Sequence, residues 1–164
     1  MNLTLKSKSG LSGSALKVIA MISMVIDHVA LYLMEQGTLL YETMRCIGRI
    51  AFPVFAFLIA EGFIHTRNRY RYFFTLLGFA VISEIPWYLL NGADGTHNVM
   101  FTLALGVATL MVLENFLQRS LVLGFLWTFG MAGLAFWFGV DYEWRGILVI
   151  VIFYLFKDRK STRL

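Results

Sequence analysis

Residues Ala15 to Met34, ALKVIAMISMVIDHVALYLM, form an apolar run long enough to cross a bilayer as a single helix. The run nevertheless carries Lys17, Asp27 and His28. Ionisable groups are costly in a membrane span, so they face the protein interior and tend to serve a function there. Lys17 and His28 are eleven residues apart. At ~100° and 1.5 Å per residue their side chains leave one helix face about 16 Å apart along the axis.

The rest of the chain agrees with a membrane setting. Of its 164 residues 59% are hydrophobic and only 15% charged, too few for the surface of a soluble domain of this size. Five further apolar runs follow: Ile47–Ile64, Tyr72–Leu90, Val99–Leu117, Ser120–Gly139 and the shorter Trp144–Phe156. The expected fold is therefore an all-α polytopic transmembrane helix bundle of about six spans. Residues 1–14 form a polar lead-in, 15–157 one helical membrane domain and 158–164 a basic tail. The last apolar run is short for a span and competes with a re-entrant or interfacial reading. The N-terminal run lacks the cleavage site of a signal peptide.

Net charge is +4, with the basic residues clustered between apolar runs. That is a topology pattern, with no motif for nucleic-acid binding. With the N-terminus inside, eleven Lys and Arg fall in inner segments, and only Arg45, Arg49 and Arg145 in outer ones. Both termini are therefore expected in the cytoplasm. Cys46 is the only cysteine, so neither an intrachain disulfide nor a thiolate metal cluster is available. No metal site, glycine-rich phosphate loop or GxSxG elbow is present.

Counting from the span ends puts His28 and Glu84 at similar depth in the outer half, with Arg49 slightly shallower. Asn98 and Thr102, four residues apart, share a helix face at the same level. His28 is a candidate general base and Glu84 a candidate to orient it; Asp27, also a catalytic candidate, lies ~100° round the helix from His28, a poor direct partner within the helix and better placed to meet another span. The plain alternative is a structural histidine bonded to a neighbouring helix. Lys17 is a candidate phosphate ligand or, more plainly, a snorkelling lysine at the inner boundary. Arg67, Arg69 and Arg71 read first as a positive-inside cluster touching lipid headgroups, and second as a landing site for a polyphosphate. Arg49 precedes Pro53, and Glu84 precedes Pro86. Two prolines beside polar residues in adjacent spans suggest a lined cavity, because each frees a backbone carbonyl.

Four segments in order, LKVIAMISMVIDHVALYL, GRIAFPVFAFLIAEGFIHTRNRYRY, ISEIP and NVMFTLALG, resemble the TraX family of conjugative-pilus proteins. The family's best-known member is an inner-membrane enzyme that N-acetylates the pilin amino terminus. The resemblance implies an acetyl-CoA-dependent N-acetyltransferase of the bacterial inner membrane with a pilin acceptor. The Lys17-x10-His28 spacing and the Arg49-xxx-Pro53-x-Phe55 run are also similar to signatures of larger multispan membrane acyltransferases. By that similarity His28 is catalytic and Lys17 holds the CoA. Arg67, Arg69 or Arg71 would then assist Lys17 at the phosphates, and Arg49, Asn98 or Thr102 would stabilise the oxyanion. The chain has fewer spans than those enzymes, so a homo-oligomer enters as a way to complete the site. Two other readings stand beside the enzyme: a small proton-coupled transporter, and a non-enzymatic membrane assembly partner.

Overall fold

A computed structural model describes residues 12–161. The lead-in through residue 11 and the end of the basic tail, 162–164, lie outside the described residues. Among the described residues seven helices follow one another: α1 (Gly13–Leu33), α2 (Leu39–Gly48), α3 (Ala51–His65), α4 (Arg69–Asn91), α5 (Val99–Arg119), α6 (Leu121–Trp137) and α7 (Glu143–Ser161). Among the described residues there is no strand, only an isolated bridge between His97 and Val140. The chain is an all-α protein of membrane-length helices.

Helix starts follow capping chemistry. Ser12, Thr38, Asn68 and Asn98 each accept a hydrogen bond from a backbone N–H in the first turn of α1, α2, α4 and α5. These bonds satisfy donors that no preceding turn can reach. The expected lead-in is shortened, since α1 starts at Gly13.

Among the described residues four stretches are long and apolar enough to cross a membrane: α1, the 27 residues Leu39–His65 covering α2 and α3, α4, and α5. This is fewer than the six expected. Helix α6 has 17 residues, short of the ~20 that a hydrocarbon core requires. Helix α7 is not among the four; Arg145 and Lys157 confine its apolar stretch.

The second span departs from expectation in two ways. Residues 39–45, which precede the apolar run Ile47–Ile64, are helical within α2. The helix also stops at Gly48 and restarts at Ala51, so Pro53 lies in the first turn of α3. There its missing N–H is one that a helix start leaves unpaired in any case. Pro86, by contrast, sits inside a continuous α4.

The chain forms two compact units, 1–55 and 56–164. In the first, α1 packs on α2. Gly48 makes this close approach feasible: a Cβ there would stand 2.7 Å from the Cα of Asp27. In the second, α5 is central and touches α4, α6 and α7. Its buried face holds Leu103, Ala104, Val107, Leu110 and Leu113, with Ile147 and Ile150 of α7 also buried. Gly106 and Gly124 sit where a Cβ would run into Ile150 and Leu117 respectively. Small residues let helix backbones approach closely, the packing that lipid surroundings favour because apolar burial drives little there. Large side chains such as Phe74, Ile82, Ile85, Leu126 and Phe129 point outward, as a lipid-facing surface requires.

Candidate functional site

In unit 1, α1 is unbroken from Gly13 to Leu33, so the Lys17–His28 register holds on one helix face. Lys17 is exposed and His28 half-buried. His28 Nδ1 lies 2.8 Å from the carbonyl oxygen of Met24, one turn earlier. A carbonyl only accepts, so Nδ1 carries the proton and donates it. The lone pair of the neutral ring is therefore on Nε2, the arrangement a general base needs. The His28 ring lies 6.0 Å from that of Tyr32.

Asp27 turns to the neighbouring helix α2 rather than to His28. Its Oδ2 takes a 2.5 Å ion pair from Arg45 of α2. Its Oδ1 is buried and has no hydrogen-bond partner among the described residues. One turn below, Ser23 donates its hydroxyl toward the carbonyls of Ile47 and Gly48, at 2.6 and 3.2 Å. Together the ion pair and the Ser23 bonds pin α1 against the C-terminal turn of α2. Arg49 follows directly as the C-cap of α2; its side chain is exposed and makes no ion pair among the described residues.

In unit 2, Glu84 organises a second cluster, at the C-terminal end of α4 and the start of α5. Its Oε1 accepts from His97 Nδ1 at 2.6 Å. Its Oε2 accepts from the Asn98 side-chain amide at 2.6 Å and from the Asn98 backbone N–H at 3.4 Å. The carboxylate expected to orient His28 thus holds His97, a residue that spacing along the chain did not single out. Asn98 also donates to the Ala80 carbonyl at 2.9 Å, so both its amide protons are spent. Thr102 gives its one hydroxyl proton to the Asp141 carbonyl. In this conformation the amide protons of Asn98 and the hydroxyl proton of Thr102 are all donated within the protein.

The backbone around His97 is fixed as well. His97 N–H donates to Gly139 O, and Asp141 N–H donates back to His97 O, each at 2.9 Å. The α6–α7 turn that supplies these partners passes through positive φ at Gly139 (63°), Tyr142 (63°) and Glu143 (45°). Left-handed backbone at a non-glycine residue costs on the order of 1–3 kcal/mol. At Gly139 a Cβ would stand 2.7 Å from Gly95 O, so only glycine fits. On the other side, the Thr96 N–H and hydroxyl both donate to Asp94. These bonds hold the Asp94 carboxyl below its usual range.

The basic cluster after α3 is not uniform. Arg69 is engaged by both carboxylate oxygens of Glu114 and lies over the Phe63 ring, 4.6 Å from its centroid. Arg67 and Arg71 are exposed, with no ion pair among the described residues. Of the three, these two remain available to a ligand. Glu61 pairs with Lys157 and, at 3.2 Å, with His65. No group of three or more metal-binding side chains occurs among the described residues.

Arg45, His97 and Glu114 escape a reading of the sequence for one reason. Each acts through a partner far along the chain, and spacing within a run does not reveal such pairs. The nearest signal is the charge balance of the spans: Asp27 and Glu84 each need a cation or donor from another helix.

A probable fimbrial assembly protein, FimC of serogroup H1, from Dichelobacter nodosus is 34% identical over 162 residues, covering 92% of this chain and 65% of the relative. An uncharacterized protein of Rickettsia prowazekii is 33% identical over 149 residues, covering 90% of this chain and 56% of the relative. The chain therefore spans somewhat under two thirds of the length of either. No solved structure matches it. The sequence profile of the TraX protein family matches residues 12–164, nearly the whole chain. With its unbroken α1 register and its membrane-length helices, this protein is a member of the TraX family.

Proposed function

We propose that this protein is an integral membrane acyltransferase of the bacterial inner membrane, moving an acetyl group from cytoplasmic acetyl-CoA to an amine presented at the outer face. The observation that carries the reading is His28 on α1. Its Nδ1 proton is committed to Met24 O, its Nε2 is left basic, and Lys17 shares its helix face three turns away. Lys17 would bind a CoA phosphate as a point charge. The extended pantetheine arm spans about the 16 Å of helix rise that separates Lys17 from His28. His28 Nε2 takes a proton from the attacking amine, and Arg49 is the cation left to stabilise the tetrahedral oxyanion. Resemblance to the TraX family and the fimbrial name of one relative favour a pilin-like acceptor.

That same name favours a second reading, a non-enzymatic partner in pilus assembly. Calorimetric titration of acetyl-CoA into the detergent-purified protein separates the two. Saturable binding is expected, with Lys17→Ala weakening it about 10- to 100-fold, the loss of one charge-assisted phosphate contact. Absence of binding by the folded wild-type protein would reject the enzyme.

Orientation has its own test. Cys46 is exposed on α2, in a segment that the charge bias assigns to the outer side. A membrane-impermeant maleimide is expected to label Cys46 in intact spheroplasts. Labelling only after lysis would reverse the topology and place the acceptor in the cytoplasm.

A further inference from the structure

The charged end of α4 carries two cations that find no counterion among the described residues. Arg67, in the turn after α3, and Arg71, in the first turn of α4, are exposed and make no ion pair there. The arginine between them is different. Arg69 is held by Glu114 and lies over the face of Phe63, so the middle charge is withdrawn and the outer two are left. No acidic residue lies in the first turn of α4 to neutralise them. A guanidinium is a planar fork that grips a phosphate with two parallel hydrogen bonds.

Beyond these arginines the exposed side of α4 is apolar. Gly78 and Ile82 come seven and eleven residues after Arg71, and at ~100° per residue both lie within ~20° of it around the helix axis. The buried residues of α4, Leu76 and Ala80, point the other way, and α4 packs on α5. Phe74 borders the stripe and Tyr70 stands at its charged end; both rings are exposed, as is Ile82. A Cβ at Gly78 would have nothing within 4 Å, so a shallow notch lies between Phe74 and Ile82. From Arg71 to Ile82 the helix rises about 16 Å, half of a ~30 Å hydrocarbon core.

We infer that this surface is a binding site for a phospholipid with two phosphodiesters, of the cardiolipin type. One phosphate lies at each free arginine, and an acyl chain runs along Phe74, Gly78 and Ile82. The inference does not depend on the acyl-transfer reading. The arginines select an anion, and the stripe selects a lipid. A soluble polyphosphate would meet the two guanidinium groups and leave the aromatic and aliphatic surface bare. Tyrosine is amphipathic and settles at headgroup level, where Tyr70 stands. Two phosphates on one molecule make the second contact without a second loss of translational freedom, so a lipid with one phosphate binds more weakly. General attraction of basic loops to anionic membranes counts charges without regard to place. Here the place is set by Arg69 being spent and by the stripe lying in line with Arg71.

Native mass spectrometry of the full chain in detergent, titrated with cardiolipin, phosphatidylglycerol or phosphatidylcholine, tests this. Cardiolipin is expected to bind about 5-fold more tightly than phosphatidylglycerol, the worth of one further arginine–phosphate contact, and phosphatidylcholine least. Arg67→Gln and Arg71→Gln should each weaken cardiolipin about 5-fold, and the double variant about 30-fold. Arg119→Gln is the control. Arg119 is an exposed cation in the last turn of α5, without an ion pair among the described residues, and its loss should leave binding unchanged. A loss from Arg119→Gln equal to that from Arg71→Gln means diffuse charge attraction and overturns the proposal, as does wild-type protein that binds the three lipids alike. The deacylated cardiolipin headgroup keeps both phosphates and separates a lipid from a soluble anion. It should bind about 100-fold more weakly or worse, the loss of about four buried methylenes; binding as tight as that of the intact lipid overturns the proposal. The lipid and headgroup comparisons use wild-type protein alone, so they decide even where a variant is lost in purification.

Discussion

His28→Gln is expected to lower acetyl transfer by about 10²- to 10⁴-fold, the range for loss of a positioned general base, while acetyl-CoA still binds. Glutamine keeps a donor for Met24 O but has no titratable nitrogen. The hydrogen bond it replaces joins one turn of α1 to the next, so even its loss costs only ~1 kcal/mol. Folding should survive, and the defect should appear in kcat with little change in acetyl-CoA affinity. Raising the pH should not restore the rate, because the proton that His28 removes leaves only once the amine has attacked. Steady-state kinetics across pH 6–9, with calorimetry on the same samples, reads this out. A variant that keeps more than half the wild-type rate would remove His28 from the chemistry and turn the α1 register into a structural feature.

Much of the fold was legible because lipid simplifies the code. A run such as Val99–Leu117, apolar up to Glu114 and bounded by Asn98 and Arg119, can scarcely be anything but a long helix, and α5 covers it. The Lys17–His28 register was legible for the same reason, since one helix fixes both distance and face. Legibility fails where a residue's role depends on a second helix. Residues 39–45 looked like a connection because Glu42, Thr43 and Arg45 interrupt the apolar pattern. They are helical because Arg45 has a buried carboxylate to reach on α1. Pro53 looked like a kink because sequence does not show that Gly48 has already ended the helix, where Asp27 packs. Glu84 was recognised as a buried acid, but its depth matched His28 while its bonds go to His97 and Asn98. Depth along a span can be counted from sequence; the neighbour across it cannot.

That same dependence on a second helix sets the largest expected effect on stability. Arg45→Ala should destabilise the protein by about 2–4 kcal/mol, because it strands a carboxylate rather than merely deleting a contact. Asp27 already has one buried oxygen without a partner among the described residues, and Arg45 holds the other. Both side chains are about one-fifth exposed, 21% and 19%, too little for water to take over. Asp27→Asn, which is neutral and still accepts from Arg45, should cost less. Combining Arg45→Ala with Asp27→Ala should recover part of the loss, giving a coupling of roughly 1–3 kcal/mol for groups in direct contact. Thermal melting in detergent, at about 2–4 °C per kcal/mol for a chain of this size, resolves wild type, Arg45→Ala, Asp27→Ala, the double variant and Asp27→Asn. The same set of variants decides what Asp27 does. If the pair is structural, Asp27→Asn lowers the melting temperature and leaves transfer by the folded protein within a few-fold of wild type. If Asp27→Asn melts like wild type and yet abolishes transfer, the carboxylate belongs to the chemistry after all, and the α1–α2 contact would owe its strength to Ser23 and Gly48 instead.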